Sequence, residues 1–382
     1  MIKTSIPFNI PYVSGEEQKY INDAIQRRTF SAGGHYTLLC ENCLEEFTTA
    51  QKVLLTSSCT HALEMCALLL DIKEGDEVIM PSFNFVSAAN AFVLRGAKIV
   101  FVDIDPNTMN IDPTQISLAI SSKTKAILVV HYGGIACDMD TIIEIAQKND
   151  IPVIEDAAHA IGAYYKGHHL GTLGDFGTLS FHATKNIHCG EGGALLINNP
   201  KYNERAAVLR EKGTNRQAFL KGEVDKYTWV DIGSSYLMSE LSAAFLYAQL
   251  QTVESVTEKR LDLWKLYRAE LIELEQQEHI MLAQSPSFSR GNGHVFYIKC
   301  KNGKERTLLV TYLNNRGIKA YFHYIPLHSS ERGRQFGQFR GEEVVTSKMS
   351  NQLLRLPLYF DMRQENLVQI IDFIKQFFIK NQ

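Results

Sequence analysis

Through the first two hundred residues, short apolar runs and amphipathic segments take turns, and this alternation leaves few folds open. Glu77–Met80, Lys98–Val102, Ala126–Val130 and Val153–Glu155 read as strands. Helices are predicted at Asn84–Leu94, Pro113–Ile120 and Met139–Lys148. A further helix is predicted over Thr60–Asp71, where Leu63, Ala67, Leu68 and Leu70 recur at helical spacing behind a hydroxyl cap. A strand returning through a helix to the next strand builds a mostly parallel sheet. Two more strands, Thr178–Phe181 and Ala194–Asn198, follow with no room for a long helix between them. Leu237–Glu275 reads as two helices, and Ala283–Gly293 gathers Ser, Pro, Gly and Asn as a loop does. Beyond it a smaller unit is predicted: strand His294–Cys300, helix Glu305–Arg316, strand Lys319–Tyr324 and helix Gln364–Phe378. The expected organisation is a large α/β domain over residues 1–250 and a small α+β domain over residues 251–382.

Charge narrows the partners. With 39 Lys plus Arg against 42 Asp plus Glu, the formal net charge is −3. No basic stripe offers itself to a phosphate backbone, so nucleic acid is not an expected partner. No apolar run approaches the roughly 20 residues that span a bilayer. Met1–Val13, with Pro7 and Pro11, does not read as a signal peptide, so a cytoplasmic protein without a membrane partner is expected. The seven cysteines are odd in number and thinly spread, as reduced thiols are. Cys40 and Cys43 form a C-x-x-C in a predicted helix, Leu38–Phe47, with no second pair near it, so packing is expected and no metal.

The densest chemical cluster is Glu155-Asp156-Ala157-Ala158-His159, at the end of a predicted parallel strand. The carboxyl ends of such strands open onto the crevice where α/β sheets bind ligands. Lys185 follows the Thr178–Phe181 strand and precedes the glycine run Gly190-Glu191-Gly192-Gly193. A lysine beside an acid-bearing strand end suggests an amine held for covalent chemistry. Pyridoxal phosphate accounts for the pair, since its aldehyde needs a lysine and its ring nitrogen a carboxylate. Its phosphate needs a helix N-terminus with hydroxyls, and Thr56-Ser57-Ser58-Cys59-Thr60 precedes a predicted helix. Phe85 is placed to stack on a ring, or to pack as core. No G-x-G-x-x-G follows an early strand, which argues against a dinucleotide-binding dehydrogenase.

Taken together, Pro81–Phe85, Gly96-Ala97, His131–Gly134, Asp138–Asp140, Glu155–His159, Ser180–His182 with Lys185, and Gly190–Gly193 resemble the DegT/StrS family of nucleotide-sugar aminotransferases. That resemblance implies an aspartate aminotransferase-like fold (fold type I) and pyridoxal 5'-phosphate as cofactor. A narrower resemblance, carried by Arg210–Arg216, Asp225–Trp229, Asp231–Leu237 and Phe322–His328, is to members that aminate dTDP-4-keto-6-deoxy-D-glucose at C4 for surface polysaccharides. It implies L-glutamate as amino donor and dTDP-4-amino-4,6-dideoxy-D-galactose as product, with the gluco epimer or another nucleotide keto-sugar as the alternative. A sugar dehydratase of the family would carry His where Lys185 stands, and a non-catalytic cofactor-binding regulator would not need the full set.

The resemblance also assigns roles. Lys185 would bond to the cofactor and shuttle protons; Asp156 would pair with the ring nitrogen; His159 would contact the phenolic oxygen. Ser58, Cys59, Thr60 and Ser180 would cradle the phosphate, and Phe85 would stack on the ring. Many members have Gly-x-Asn-x-Arg where this chain has Gly233–Leu237, so Ser235 stands where an Asn reaches a neighbouring subunit's phosphate. Arg216, Lys212 and Lys226 would face the nucleotide diphosphate, and His323, Tyr324 and His328 the substrate. His182 is placed to tune the lysine or touch substrate, and His188 to pack behind it. A homodimer with its active site at the interface is implied.

Overall fold

The computed structural model describes residues 5–380. The N-terminal reading of Met1–Val13 therefore falls partly outside the described residues. An eight-stranded sheet organises the larger part, in the order Lys52–Thr56, Gly193–Ile197, Phe176–Ser180, Val153–Asp156, Thr124–Val130, Glu77–Pro81, Lys98–Val102, Gly337–Phe339. Gly193–Ile197 runs antiparallel to both its neighbours, and every other pairing in the sheet is parallel. The strands read as unbroken apolar runs because helices cover both faces. Val100 and Val102 enter one core layer, while Ile99 and Phe101 between them enter the other. Thr124–Val130 divides the same way, Ile127 and Val129 against Ala126, Leu128 and Val130.

Helix Val253–Gln276, with 24 residues, is about 36 Å long. Its first turns, Val253 and Val256, pack into the core of the large sheet. Leu263, Tyr267, Leu271 and Leu274 further along pack into a second core, with strands Ile280–Leu282, Phe296–Cys300 and Leu353–Leu356. The helix is thus the shared spine of both cores. Two segments cross between them: Ile6 bridges to Ile318, and Gly337–Phe339 adds a strand to the large sheet beside Lys98–Val102.

The structure corrects one predicted strand. Lys319–Tyr324 makes only single bridges, Ile6 to Ile318 before it and Tyr321 to Arg355 within it. The backbone then leaves the sheet, as His323 and Tyr324 turn toward a cavity and Ser350 Oγ donates to the Tyr324 carbonyl. Short strands at Lys52–Thr56, Gly337–Phe339 and Leu353–Leu356 were not signalled by periodicity. The C-x-x-C pair lies on helix His35–Thr48, where the Cys40 thiol donates to the Ala243 carbonyl at 3.2 Å.

Candidate active site

The parallel strands end on one rim of the sheet, and the residues that follow their carboxyl ends converge on a cavity of about 620 Å³. Ser58, Cys59 and Thr60 follow Lys52–Thr56; Asn84 and Phe85 follow Glu77–Pro81; Asp156 ends Val153–Asp156; Ser180 ends Phe176–Ser180. His294, His323, Tyr324 and Arg355 close the opposite wall.

Lys185 sits in the loop between Phe176–Ser180 and Gly193–Ile197. Burial lowers its pKa against the raising influence of Cys59 and Asp156, which favours the neutral, nucleophilic amine. The Asp156 carboxyl is pushed up by burial, and its Oδ1 accepts one backbone bond, from Ala158 N at 3.1 Å. The two side chains form no ion pair with each other, although each feels the other's charge. A buried carboxylate with a single local hydrogen bond is underpaired, and a cationic ring N–H is the partner that would restore its balance.

The helix Cys59–Leu69 begins at the cavity wall. Ser58 caps it, its Oγ accepting from His61 N at 3.1 Å. The N-terminus comes this close because Gly193, paired across to both Thr56 and Ser180, has no side chain. A Cβ there would lie 2.3 Å from Cys59 N and 2.4 Å from the Ser58 carbonyl carbon. Backbone N–H groups and hydroxyls at a helix start make an anion cradle.

His159 is held in one tautomer. Gly133 N donates to its Nδ1 at 3.2 Å, which leaves Nε2–H as the donor. Burial keeps this ring neutral, its pKa well below the usual histidine range. An Nε2 donor suits a phenolate oxygen. An underpaired carboxylate, an amine of lowered pKa, a free imidazole donor and an anion cradle in one cavity fit pyridoxal phosphate.

The opposite wall is a cluster of rings. His294 lies against His159, with centroids 4.4 Å apart. His294 Nδ1 donates to Asn186 Oδ1 at 2.8 Å, tying it to the neighbour of Lys185. Asn292 fastens the same loop through its Nδ2, which donates to the His159 and Ile161 carbonyls at 2.8 Å each. Tyr132 Oη and His323 Nδ1 are 3.1 Å apart, and burial drives the His323 pKa down to about 2. Phe85 stands at the mouth, 55% exposed, its ring 6.1 Å from that of Tyr324.

Six residues singled out in the sequence lie outside this cavity. His328 is drawn under the rim instead, its Nδ1 2.6 Å from Ser82 Oγ, and its backbone N donates to the same oxygen at 3.1 Å. Arg216 pairs with Glu211 at 3.2 Å on the outer surface, and Lys212 and Ser235 are exposed beside it. A backbone bridge between Glu211 and Ser235 holds this segment off the chain's own cavity. Lys226 is also exposed and outside it. His188 is behind the site, its Nε2 donating to the Tyr12 carbonyl at 2.7 Å, whereas His182 lines the cavity. Arg355, His294 and Asn84 line it without having been anticipated. Only Arg355 had a signal to find: a charge at the centre of the apolar run Leu353–Leu358.

A lysine and an aspartate buried together at the carboxyl rim of this sheet define a pyridoxal-phosphate enzyme of fold type I. Within that class, the chain belongs to the DegT/DnrJ/EryC1/StrS aminotransferase family, whose sequence model matches residues 11–375. It is a pyridoxal-phosphate-dependent sugar aminotransferase. The uncharacterized protein MJ1066 of Methanocaldococcus jannaschii is 32% identical over 391 residues, covering 100% of both chains. The aminotransferase TlmJ of Streptoalloteichus hindustanus superposes with a TM-score of 0.90 at 26% identity, covering 98% of this chain and 99% of that one. A Streptococcus pneumoniae protein described as a sugar aminotransferase, solved in its PMP form, gives 0.91 at 26% identity over 98% and 99%.

Proposed function

We propose that the enzyme transfers the amino group of L-glutamate to C4 of dTDP-4-keto-6-deoxy-D-glucose, giving dTDP-4-amino-4,6-dideoxy-D-galactose and 2-oxoglutarate. The reading rests on one observation above the rest: Lys185, its pKa lowered by burial, and an underpaired Asp156 share a cavity with a wall of imidazole and phenol groups. Such a wall offers hydrogen bonds to sugar hydroxyls without demanding charge. The motifs Arg210–Arg216, Asp231–Leu237 and Phe322–His328 carry the choice of nucleotide sugar.

Bound pyridoxal phosphate supplies the electron sink for the carbon that loses and regains a proton. Lys185 Nζ takes the α-proton of the donor and later delivers a proton to C4 of the sugar. Asp156 keeps the ring nitrogen's proton in place, and His159 Nε2 donates to the phenolic oxygen. Ser58, the Cys59 N–H, Thr60 and Ser180 hold the phosphate, and Phe85 covers one ring face.

We also infer a homodimer in a surface-glycan pathway. Trp229 is 80% exposed, and Leu220, Tyr227, Val230 and Ile232 beside it are also exposed, more apolar surface than one short segment leaves to water without a use. Ser235, Lys212 and Arg216 share that surface, so their proposed phosphate contacts would be made to the partner's cavity. Incubation with dTDP-4-keto-6-deoxyglucose and L-glutamate, followed by NMR of the product, tests the substrate and the configuration together. An axial C4 amine is expected. An equatorial one shifts the reading to the gluco epimer, and an amine at C3 or no turnover overturns it.

A further inference from the structure

His328 lies outside the cavity, yet it is bonded where two of the cavity's segments meet. The segment Ser82–Phe85 brings Asn84 and Phe85 to the cavity, and Ser82 at its start is wholly buried. Leu327 N donates to the Ser82 carbonyl at 2.9 Å. His328 N donates to Ser82 Oγ at 3.1 Å, and His328 Nδ1 lies 2.6 Å from the same oxygen. Ser82 Oγ accepts from the backbone, so its own proton is free to go to the Nδ1 lone pair. The His328 proton then sits on Nε2, 4.0 Å from Glu343 Oε2. Glu343 and Asp103 are the carboxylates whose charge reaches this ring, and burial lowers its pKa in spite of them, which keeps Nδ1 an acceptor. The Phe339 ring packs edge-on against it, with centroids 4.9 Å apart.

The second segment is a strap, Tyr321–His328, tied at both ends. At its start Tyr321 bridges to Arg355, and Arg355 Nη2 donates to the Phe322 carbonyl at 3.2 Å. Ser350 Oγ holds the Tyr324 carbonyl. At its end Leu327 is buried in the core of the large sheet, beside the bonds to Ser82. His323 and Tyr324, before this last tie, are the residues the strap gives to the cavity. The segment opposite leans on the same tie. Phe83 packs against the rings of Tyr132 and Tyr324 at 5.0 and 5.3 Å. Asn84 Oδ1 turns back on Phe85 N at 2.7 Å, and Asn84 Nδ2 is buried without a partner. Among the described residues, Ser82 alone of these four is hydrogen-bonded to the strap.

The two segments face each other across the mouth, where the rings of Phe85 and Tyr324 are 6.1 Å apart. Hydrogen bonds hold a distance and a direction, whereas two rings in loose contact at a surface hold neither. The spacing of the mouth is therefore set behind it, at Ser82. A nucleotide sugar must extend through that mouth, whereas an amino-acid donor fits within the 620 Å³ of the cavity, so the larger substrate is the one that feels the spacing. We propose that Ser82 and His328 are a positioning pair for the sugar half of the reaction, their bond setting where Tyr324 stands opposite Phe85 and so how closely the mouth fits the keto sugar. Neither residue lines the cavity; both act through the residues that do. The pair's role rests on the reading above of His323 and Tyr324 as the wall that meets the sugar.

The test uses the pyridoxal-phosphate-loaded enzyme, with dTDP-4-keto-6-deoxyglucose and L-glutamate as substrates. Ser82→Ala and His328→Leu should each raise KM for the sugar by about 5- to 20-fold, with kcat and the glutamate half-reaction within about twofold of the wild type. His328→Asn, whose side-chain oxygen takes the place of Nδ1 as acceptor, should restore KM to within about threefold. The double variant Ser82→Ala/His328→Leu should be no worse than the poorer single one, since the same bond is lost only once. Hydrogen exchange over residues 322–328 should rise in Ser82→Ala in step with KM. Losses that multiply in the double variant overturn the proposal, as does an Asn variant that melts like the wild type yet keeps the KM of His328→Leu. Unchanged exchange in Ser82→Ala overturns it whatever sugar is used. Raised exchange with a loss confined to the glutamate half-reaction overturns the sugar reading of the wall instead. A wild type that does not turn over this sugar overturns the substrate proposed above, while exchange still reports on the Ser82–His328 bond.

Discussion

The two walls of the cavity are built by opposite means. The sheet wall is made of strand ends and one helix start, so Ser58, Asp156 and Ser180 take their positions from regular hydrogen-bonded structure. The small-domain wall is made of loops and the edge of a three-stranded sheet, with His294, His323 and Arg355 held by side-chain bonds and ring contacts. The first wall presents groups fixed by regular structure to the cofactor, a single constant ligand. The second is mostly neutral, with one cation, and faces two different substrates in turn. Rigid elements suit the part of the chemistry that does not change, and adjustable loops suit the part that does.

Substitutions on the two walls should therefore fail differently. Lys185→Ala removes the proposed proton carrier and should lower kcat by about 10⁴-fold or more, measured by coupled assay of 2-oxoglutarate. Equal losses in both half-reactions are expected, since the sheet wall serves both. Asp156→Asn should cost about 10²- to 10³-fold in kcat and weaken cofactor retention on gel filtration. His323→Ala, on the other wall, should act mainly on KM for the nucleotide sugar, by about tenfold, with kcat little changed. A kcat loss from His323→Ala as large as that from Asp156→Asn would erase the distinction between the walls.

Stability separates them too. Gly193→Ala forces a Cβ into the start of helix Cys59–Leu69 and should destabilise the fold by about 2 kcal/mol or more, read by urea denaturation. The buried histidines, His159 beside the sheet as well as His294 and His323 across from it, should reveal themselves by pH. His323 is held neutral in the fold, far below the ordinary value of 6.5, but it protonates readily once unfolded. The unfolded chain then binds more protons, so the folded state loses stability as pH falls below about 6.5, by up to about 1.4 kcal/mol per pH unit from this ring. His323→Asn should flatten that slope in melting experiments between pH 6.5 and 5. An unchanged slope would contradict the burial argument.

The difference between the walls also decides what could be read in advance. Val153–Asp156 announces itself as a buried parallel strand, and an acid at its end has one crevice to enter. Lys185, framed by a strand and a glycine run, is legible for the same reason. Arg355 shows in the sequence only as a charge inside an apolar run, because its strand is four residues long and contacts the cavity through tertiary packing alone. His328 falls outside the cavity because the segment Phe322–His328 supplies the rings of His323 and Tyr324 to it but turns at Pro326 before reaching His328. Gly337–Phe339 joins the large sheet from a distant part of the chain, a non-local pairing that no periodicity reports. Local pattern specifies the wall made of regular elements; it leaves the assembled wall to the fold.

The proposed chemistry of the site depends on Lys185 being the residue that bonds to pyridoxal phosphate. Borohydride reduction of the holoenzyme, followed by proteolysis and mass spectrometry, reads that bond directly. The reduced cofactor should be found on the peptide carrying Lys185, and Lys185→Ala should carry none there or elsewhere. Label on another lysine, or equal labelling of the variant, would contradict the account.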